Sequence, residues 1–247
     1  MKNTFKLYQV GGSIRDELLG LTSKDIDYAV VVRSMDSSAP AAFEWFLETI
    51  TSLGYEVFLA TPDVFTIRAK FPKTHKHSGL VADFVLARKE EGFVAGTRRP
   101  ESCVLGTLED DLRRRDFTVN AIAKGEDGII IDKFDGLGDL GNMILRCPID
   151  AATSFNDDPL RILRAFRFSV TKGFKIHFEL FCAIELLDPN RFIETVSIER
   201  IREELDKMFR FDTIKTLELL EELKFLNPQI YKHILTNLWL KPTTELK

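Results

Sequence analysis

Cysteine is sparse in this 247-residue chain, and the three present, Cys103, Cys147 and Cys182, form neither a close pair nor a metal-ligand spacing. The odd count excludes a disulfide framework and leaves buried free thiols as the expected state. Histidine is equally thin, at four residues. His75 and His77 fall in a polar stretch and no His-Asp pair marks a metal phosphohydrolase, so bound zinc is not expected. No apolar run approaches the roughly 18 residues of a membrane span, and Met1–Val10 lacks the basic-then-apolar layout of a secretory signal. A cytoplasmic protein without a membrane partner is expected. Basic excess is missing too: 34 Lys and Arg stand against 38 Asp and Glu, a formal charge of −4. That excludes a general polyanion-binding surface, so any RNA site must be a local concentration of Lys and Arg. Two such concentrations exist, Arg113–Arg115 and the set Arg161, Arg164 and Arg167. Internal repeats and low-complexity tracts are absent.

What is present is apolar surface, 45% hydrophobic and 11% aromatic, enough for one large domain or two modest ones. The first half alternates β-rich and helical runs: LYQV, SIRDELLG, DIDYAVVV, the amphipathic AAFEWFLETITSLG, YEVFLA, VFTIRAKF and LVADFVLAR. Residues 89–109, rich in Gly, Arg, Glu and Ser, read as a mobile loop. DLRRRDFTVNAIA then suggests a helix start, IIIDKF a last strand and DGLGDLGN a Gly-rich turn. From Asp157 onward glycine is rare and the period is helical, with helices expected at 157–171, 177–187, 197–210, 211–225 and 228–237. The expected fold class is α+β. A head with a small mixed β-sheet and flanking helices occupies 1–147, and an all-α neck with a short helical C-terminal part occupies 148–247.

In YQVGGSIRDELLG a strand enters a Gly-Gly turn and leaves as a helix, with Ser13 as candidate N-cap and Asp16 as its reciprocal partner. Glycine lets backbone approach an anion, so the turn at Gly12 with nearby Arg15 can cradle a triphosphate; an ordinary Gly-Gly turn is the alternative. DIDYAVVV adds chemistry. Side chains alternate across a strand, so Asp25 and Asp27 point to one face, roughly 7 Å apart at the backbone. Two carboxylates on one face call for a cation, and hard oxygen ligands beside phosphates favour magnesium. A phosphoryl-transfer centre of this kind uses two Mg2+ ions about 3.5–4 Å apart. Asp83, in the otherwise apolar LVADFVLAR, is the candidate third ligand, with pairing to Arg68 or Arg88 as the alternative.

DDPLRILRAFRFSV places Asp158, Arg161, Arg164 and Arg167 three residues apart among Leu, Ile, Ala and Phe. On a helix such steps give one slanted polar stripe whose guanidinium groups need partners. Internal salt bridges would satisfy them, and so would a bound nucleotide. Asp158 and Arg161 can also act as a protein template. Arg donates and Asp accepts, which fits the acceptor-beside-donor edges of both cytosine and adenine. Uracil and guanine present the reverse pattern and are rejected. CTP and ATP are the expected substrates.

With these motifs in place, the chain resembles class II tRNA nucleotidyltransferases, the CCA-adding enzymes, and their relatives the bacterial poly(A) polymerases. The resemblance runs from about Leu7 to Phe209, through VGGSIRDELLG with DIDYAVV, LEDDLRRRDFTVNAIA, IDKFDGLGDLGN, DDPLRILRAFRFSV and the weaker ERIREEL. It implies a nucleotidyltransferase head and a helical neck, Asp25 and Asp27 as catalytic metal ligands, and Gly12 and Arg15 at the triphosphate. It also implies nucleotide contacts from Arg115, Asp158, Arg161, Arg164 and Arg167, and the tRNA 3′ end as partner. Partial CC- or A-adding enzymes and poly(A) polymerases share these residues, and a degenerate RNA- or nucleotide-binding module is the non-enzyme alternative. Two features depart from the family pattern. Asp157 stands where Glu is usual, and only a short stretch follows Phe209 where family members continue into body and tail helices. On that reading tRNA grip falls to the helical remainder or a second subunit, or the RNA end is smaller.

Overall fold

The computed structural model describes residues 4–22, 26–33, 38–93 and 100–237. They form two compact units, the first made by residues up to Gly92 and from Pro100 to Asn142, the second by Phe93 and the residues from Met143 on. In the first, β1 (Thr4–Val10) leads through a glycine turn into α1 (Gly12–Leu18), followed by β2 (Ile26–Arg33), α2 (Ala39–Ser52), β3 (Glu56–Thr61), β4 (Thr66–Lys70) and β5 (Val81–Leu86). Next come β6 (Arg88–Phe93), β7 (Pro100–Leu105), α3 (Leu108–Arg113), a 3-10 turn at Thr118–Asn120, β8 (Ile122–Gly125), β9 (Ile130–Asp132) and α4 (Gly136–Gly141). Seven strands make one mixed sheet in the order β3-β4-β5-β2-β1-β8-β9, with β2 and β5 parallel.

Strand alternation gives this sheet two different faces. On one, Leu7, Tyr28, Val30, Ile67 and Phe84 pack under Phe43, Phe46 and Ile50 of α2 in an aromatic core. On the other, Val10, Ala29, Ala121 and Ala123 gather with Leu112 of α3. Small side chains there keep this second face shallow near its polar residues. Register fixes a row across it: Ala123, Val10, Asp27, Asp83 and Arg68 are successive cross-strand partners.

Several local expectations need correction. The loop expected over 89–109 holds two strands, β6 and β7, which form a separate two-stranded sheet; Cys103 and Leu105 of β7 pack against the aromatic core and Val104 bridges to Ser38, while the polar run of β6 carries no apolar alternation to betray it. Residues 94–99 between them lie outside the described set. α3 begins earlier than expected, at a capping box where Thr107 Oγ1 accepts from the Asp110 amide and Asp110 accepts from the Thr107 amide. It ends at Arg113, and FTVNAIA runs into β8. The Gly-rich DGLGDLGN is α4 rather than a turn: Asp132 accepts from the amides of Gly136 and Leu137, and a Cβ on Gly136 would lie 2.3 Å from the Thr118 carbonyl oxygen. Ser13 is not the cap of α1. That position is Gly11, while Ser13 Oγ donates to Val10 O and Asp16 pairs with Arg15.

The second unit opens with β10 (Ile144–Leu145), then α5 (Ala151–Asp157), α6 (Arg161–Lys172), β11 (Lys175–Ile176), α7 (Phe178–Leu186), α8 (Pro189–Thr195), α9 (Ile198–Phe209), α10 (Thr213–Leu226) and α11 (Pro228–Asn237). It is helical apart from the short parallel pairing of β10 with β11. The helix expected at 157–171 is α6, which starts only at Arg161 because Pro159 removes an amide donor and Asp158 before it takes extended dihedrals; Asp157 instead ends the preceding helix α5. α6 packs against α9, with Ile162, Leu163, Ala165 and Phe166 fully buried. Of the cysteines only Cys147 is buried; Cys103 is half-buried and Cys182 exposed, all three as free thiols. No helix among the described residues is long and apolar enough to cross a membrane.

Candidate active site

Gly11 is the pivot of the first unit. Its φ of +78° and ψ of −144° lie in a region that only glycine enters without strain. A Cβ there would also sit 2.9 Å from Arg115 Nη1 and 3.4 Å from Asp27 Oδ2. Gly11 therefore brings a guanidinium and a carboxylate together at the turn, one residue before Gly12, where the triphosphate cradle is expected. At Gly12 a Cβ would meet only the flexible end of Arg15, at 3.3 Å. Gly11→Ala is expected to destabilise the protein by about 1–3 kcal/mol and to displace Arg115. Denaturant unfolding checks the first, and an unchanged midpoint would contradict the assigned strain.

Asp27 and Asp83 are in-register partners on adjacent parallel strands, so their side chains share one face at a strand spacing of about 4.8 Å. Both are partly exposed. Arg68 Nη1 stands 3.6 Å from Asp83 Oδ2, a solvent-facing contact with Arg68 half exposed that contributes little. Asp83 thus meets both of its expected neighbours, Asp27 on one side and Arg68 on the other. Asp25 lies outside the described residues. Among the described residues no third His, Cys, Asp or Glu completes a metal-holding group, but two hard-oxygen donors abreast on one face are the ligand type that magnesium takes.

Arg15 is buried rather than presented. Its Nε and Nη2 bond Asp16 Oδ1 at 2.9 and 2.8 Å, and Nη1 donates to Asn120 Oδ1 at 2.7 Å. Asn120 Nδ2 in turn donates to Asp116 Oδ1. Arg115 is held by Asp111, whose Oδ2 accepts from Nε and Nη2 at 3.2 and 2.9 Å, while Nη1 also donates to Asn120 O. Asp111 Oδ1 takes Arg114 at 2.6 Å. Asp111 has no solvent exposure. Burial pushes its pKa up, but Arg115 and Arg114 outweigh that and hold it at about 2. Asp111 and Asn120 were not singled out by sequence reasoning; the i, i+3 and i, i+4 spacing of Asp111 to Arg114 and Arg115 was the available signal.

In the second unit the three-residue stripe is literal: between Arg161 and Val170 only Arg161, Arg164 and Arg167 escape burial. Asp158 is not on that helix but in the turn before it. Its two oxygens face Arg200 of α9, at 3.1 and 3.5 Å. Arg161 Nη1 donates to Ser154 Oγ at 2.6 Å. Arg167 is ion-paired with buried Glu204 and lies 4.3 Å over the Phe168 ring, with Arg164 at 5.9 Å from the same ring. The internal partners weighed for this stripe are therefore present, and two of them, Arg200 and Glu204, come from the ERIREEL segment.

Comparison with known proteins bears on both units. A model of the poly A polymerase head domain matches residues 7–146, and one described as a probable RNA and SrmB- binding site of polymerase A matches 173–232. The CCA-adding enzyme of Streptococcus sanguinis strain SK36 is 36% identical over 204 residues, 83% of this chain and 46% of that protein. The CCA-adding enzyme of Leuconostoc citreum strain KM20 is 36% identical over 205 residues, 83% and 45% respectively. This chain thus spans about half the length of such relatives. Among solved structures, the Bacillus stearothermophilus CCA-adding enzyme in complex with CTP superposes with a TM-score of 0.70 at 27% identity, over 92% of this chain and 53% of that one. The Thermotoga maritima CCA-adding enzyme complexed with tRNA gives 0.66 at 28% identity, over 96% and 50%.

Proposed function

The chain belongs to the poly A polymerase head-domain family, and from that premise we propose that it adds CMP and AMP, from CTP and ATP, to the 3′ end of tRNA without a nucleic-acid template. The names of its relatives support the activity and the substrate. The observation in this chain that carries the reading is the junction at Gly11, where Asp27 and Arg115 meet a turn whose backbone strains any side chain. A carboxylate for a cation and a guanidinium for a polyphosphate, at one bare stretch of backbone, suit a nucleoside triphosphate.

In the proposed reaction the RNA 3′ hydroxyl displaces pyrophosphate from the nucleotide, a transfer that positioning and charge stabilisation alone can drive. Asp25, Asp27 and Asp83 would hold two Mg2+ ions, which when bound supply charge for the leaving pyrophosphate and lower the pKa of the attacking hydroxyl. Arg115 faces the triphosphate, kept in place by Asp111. Arg15 serves the same end indirectly: bonded to Asn120, it steadies the turn at Gly12 and the segment whose carbonyl Arg115 also meets. In the neck, Arg164 and Arg167 stand beside the nucleotide while Asp158 accepts from, and Arg161 donates to, the base edge.

Two measurements test this. Given tRNAs lacking the whole CCA end, its last two nucleotides or its last one, the protein should add what is missing and stop. Exclusive ATP addition without a stop would sink the reading in favour of a poly(A) polymerase, and no incorporation by any NTP would favour a binding module. Asp158→Ala and Arg161→Ala are expected to cut the preference for CTP and ATP over UTP and GTP by about 10- to 100-fold, the worth of one or two lost hydrogen bonds. Competition kinetics with all four nucleotides reads the change, and an intact preference refutes the protein template.

A further inference from the structure

The sheet face opposite Asp27 holds a cavity of about 340 Å³ within the first unit. Cross-strand partners Lys124, Gln9 and Tyr28 line its sheet side, and Phe71, His75 and His77 close it from the segment after β4. Its volume is at the small end of the roughly 300–1,000 Å³ of small-molecule pockets, which limits an occupant to about one nucleotide.

The chemistry of the walls narrows the class of occupant. The His75 ring stacks on Phe71 at 4.4 Å and 18°, and His77 lies tilted beside both, 5.4 Å from His75 and 5.6 Å from Phe71, so the wall is a cluster of flat rings against which a further ring can pack. His75 Nδ1 accepts the amide of His77 at 3.1 Å. That bond requires a neutral imidazole with its proton on Nε2, a donor suited to a base edge. Among the described residues no group of three His, Cys, Asp or Glu can hold a metal, so the paired imidazoles do not mark a metal site. Lys124 is neutralised by Glu17 at 2.5 Å. Lys76 and Glu126, both at the cavity, have no ion-pair partner among the described residues, and they supply one cation and one hydroxyl acceptor.

We propose that this cavity is a second nucleotide site, distinct from the Asp27 face, taking one ribonucleotide with its base against His75 and His77, its ribose hydroxyls on Glu126 and its phosphate on Lys76. The proposal does not depend on the activity assigned above. A free nucleotide and a nucleotide of an RNA strand share this chemistry.

NMR of the histidine ring signals tests it, since four histidines are readily assigned by substitution. With EDTA present to silence metal-dependent binding, AMP should shift the His75 and His77 signals saturably and leave His177 and His233 unmoved. The shifts should persist in Asp27→Ala. In Lys76→Ala the affinity should fall about tenfold, as for a lost charged hydrogen bond, and Glu126→Gln should erase any preference for AMP over its 2′-deoxy form. A short oligoadenylate that binds more tightly than AMP assigns the site to an RNA strand, and equal binding assigns it to free nucleotide. Absence of a saturable shift, wild-type affinity in both Lys76→Ala and Glu126→Gln, or loss of the shifts in Asp27→Ala would overturn the proposal.

Discussion

Replacing Asp27 together with Asp25 by alanine is expected to lower nucleotide incorporation by about 10³-fold or more while the fold survives, because stabilisation of transferring charge is the largest catalytic term. Asp27 sits on a central strand, partnered by Asp83. Without a cation, like charges directly across a strand pair are destabilising, so a purely structural carboxylate would be a poor choice there. In EDTA the variant should therefore melt close to the wild-type temperature, relief of the Asp27–Asp83 repulsion offsetting the loss of a carboxylate near Arg115. In magnesium the wild type should gain stability by ligand linkage and the variant should not. Incorporation assays with thermal melts in both buffers decide it: retained activity would remove Asp27 from the chemistry, and a large drop in melting temperature in EDTA would make its role structural.

The contrast between Asp27 and Arg15 shows what a sequence can reveal. Asp27 was legible because its signal is local: period-two alternation fixes its face, and the register adds Asp83 beside it. The same logic located the arginine stripe of α6, where every third residue alone escapes burial. Arg15 was legible as a cation near the turn but not as a buried one, since its partner Asn120 is 105 residues away. Arg200 and Glu204 were opaque for the same reason, Arg200 meeting Asp158 in the turn before α6, 42 residues away, and Glu204 meeting Arg167 on α6, 37 residues away. Choosing between Gly11 and Gly12 required a backbone dihedral and the approach of Arg115, neither of which is written in a Gly-Gly pair. Strands β6 and β7 escaped notice because β6 is polar along most of its length and β7 offers only Cys103 and Leu105 to the core, too short a run to set a hydrophobic period.

Asp111→Asn is expected to be the most destabilising single change, by about 3 kcal/mol, near the lower end for breaking a buried ion pair because Arg114 and Arg115 retain some access to water. Its pH signature is specific. The folded-state pKa of about 2 is depressed from 3.8, so the carboxylate contributes stability that is complete above 3.8 and lost as pH falls through 2. That contribution is about 2 kcal/mol, and stability measured across this window should fall more steeply with falling pH in the wild type than in the variant. Activity separates two roles for the residue. If Asp111 acts only as a core anchor, the folded variant at low temperature will keep its KM for nucleotide. As a positioning residue it aims Arg115 at the Gly11 turn, and its loss should raise KM by about tenfold, the worth of one charged hydrogen bond, with Asp111→Glu restoring part of the effect. An unchanged KM in the folded Asn variant would detach Arg115 from the nucleotide and leave the junction at Gly11 with only its carboxylate.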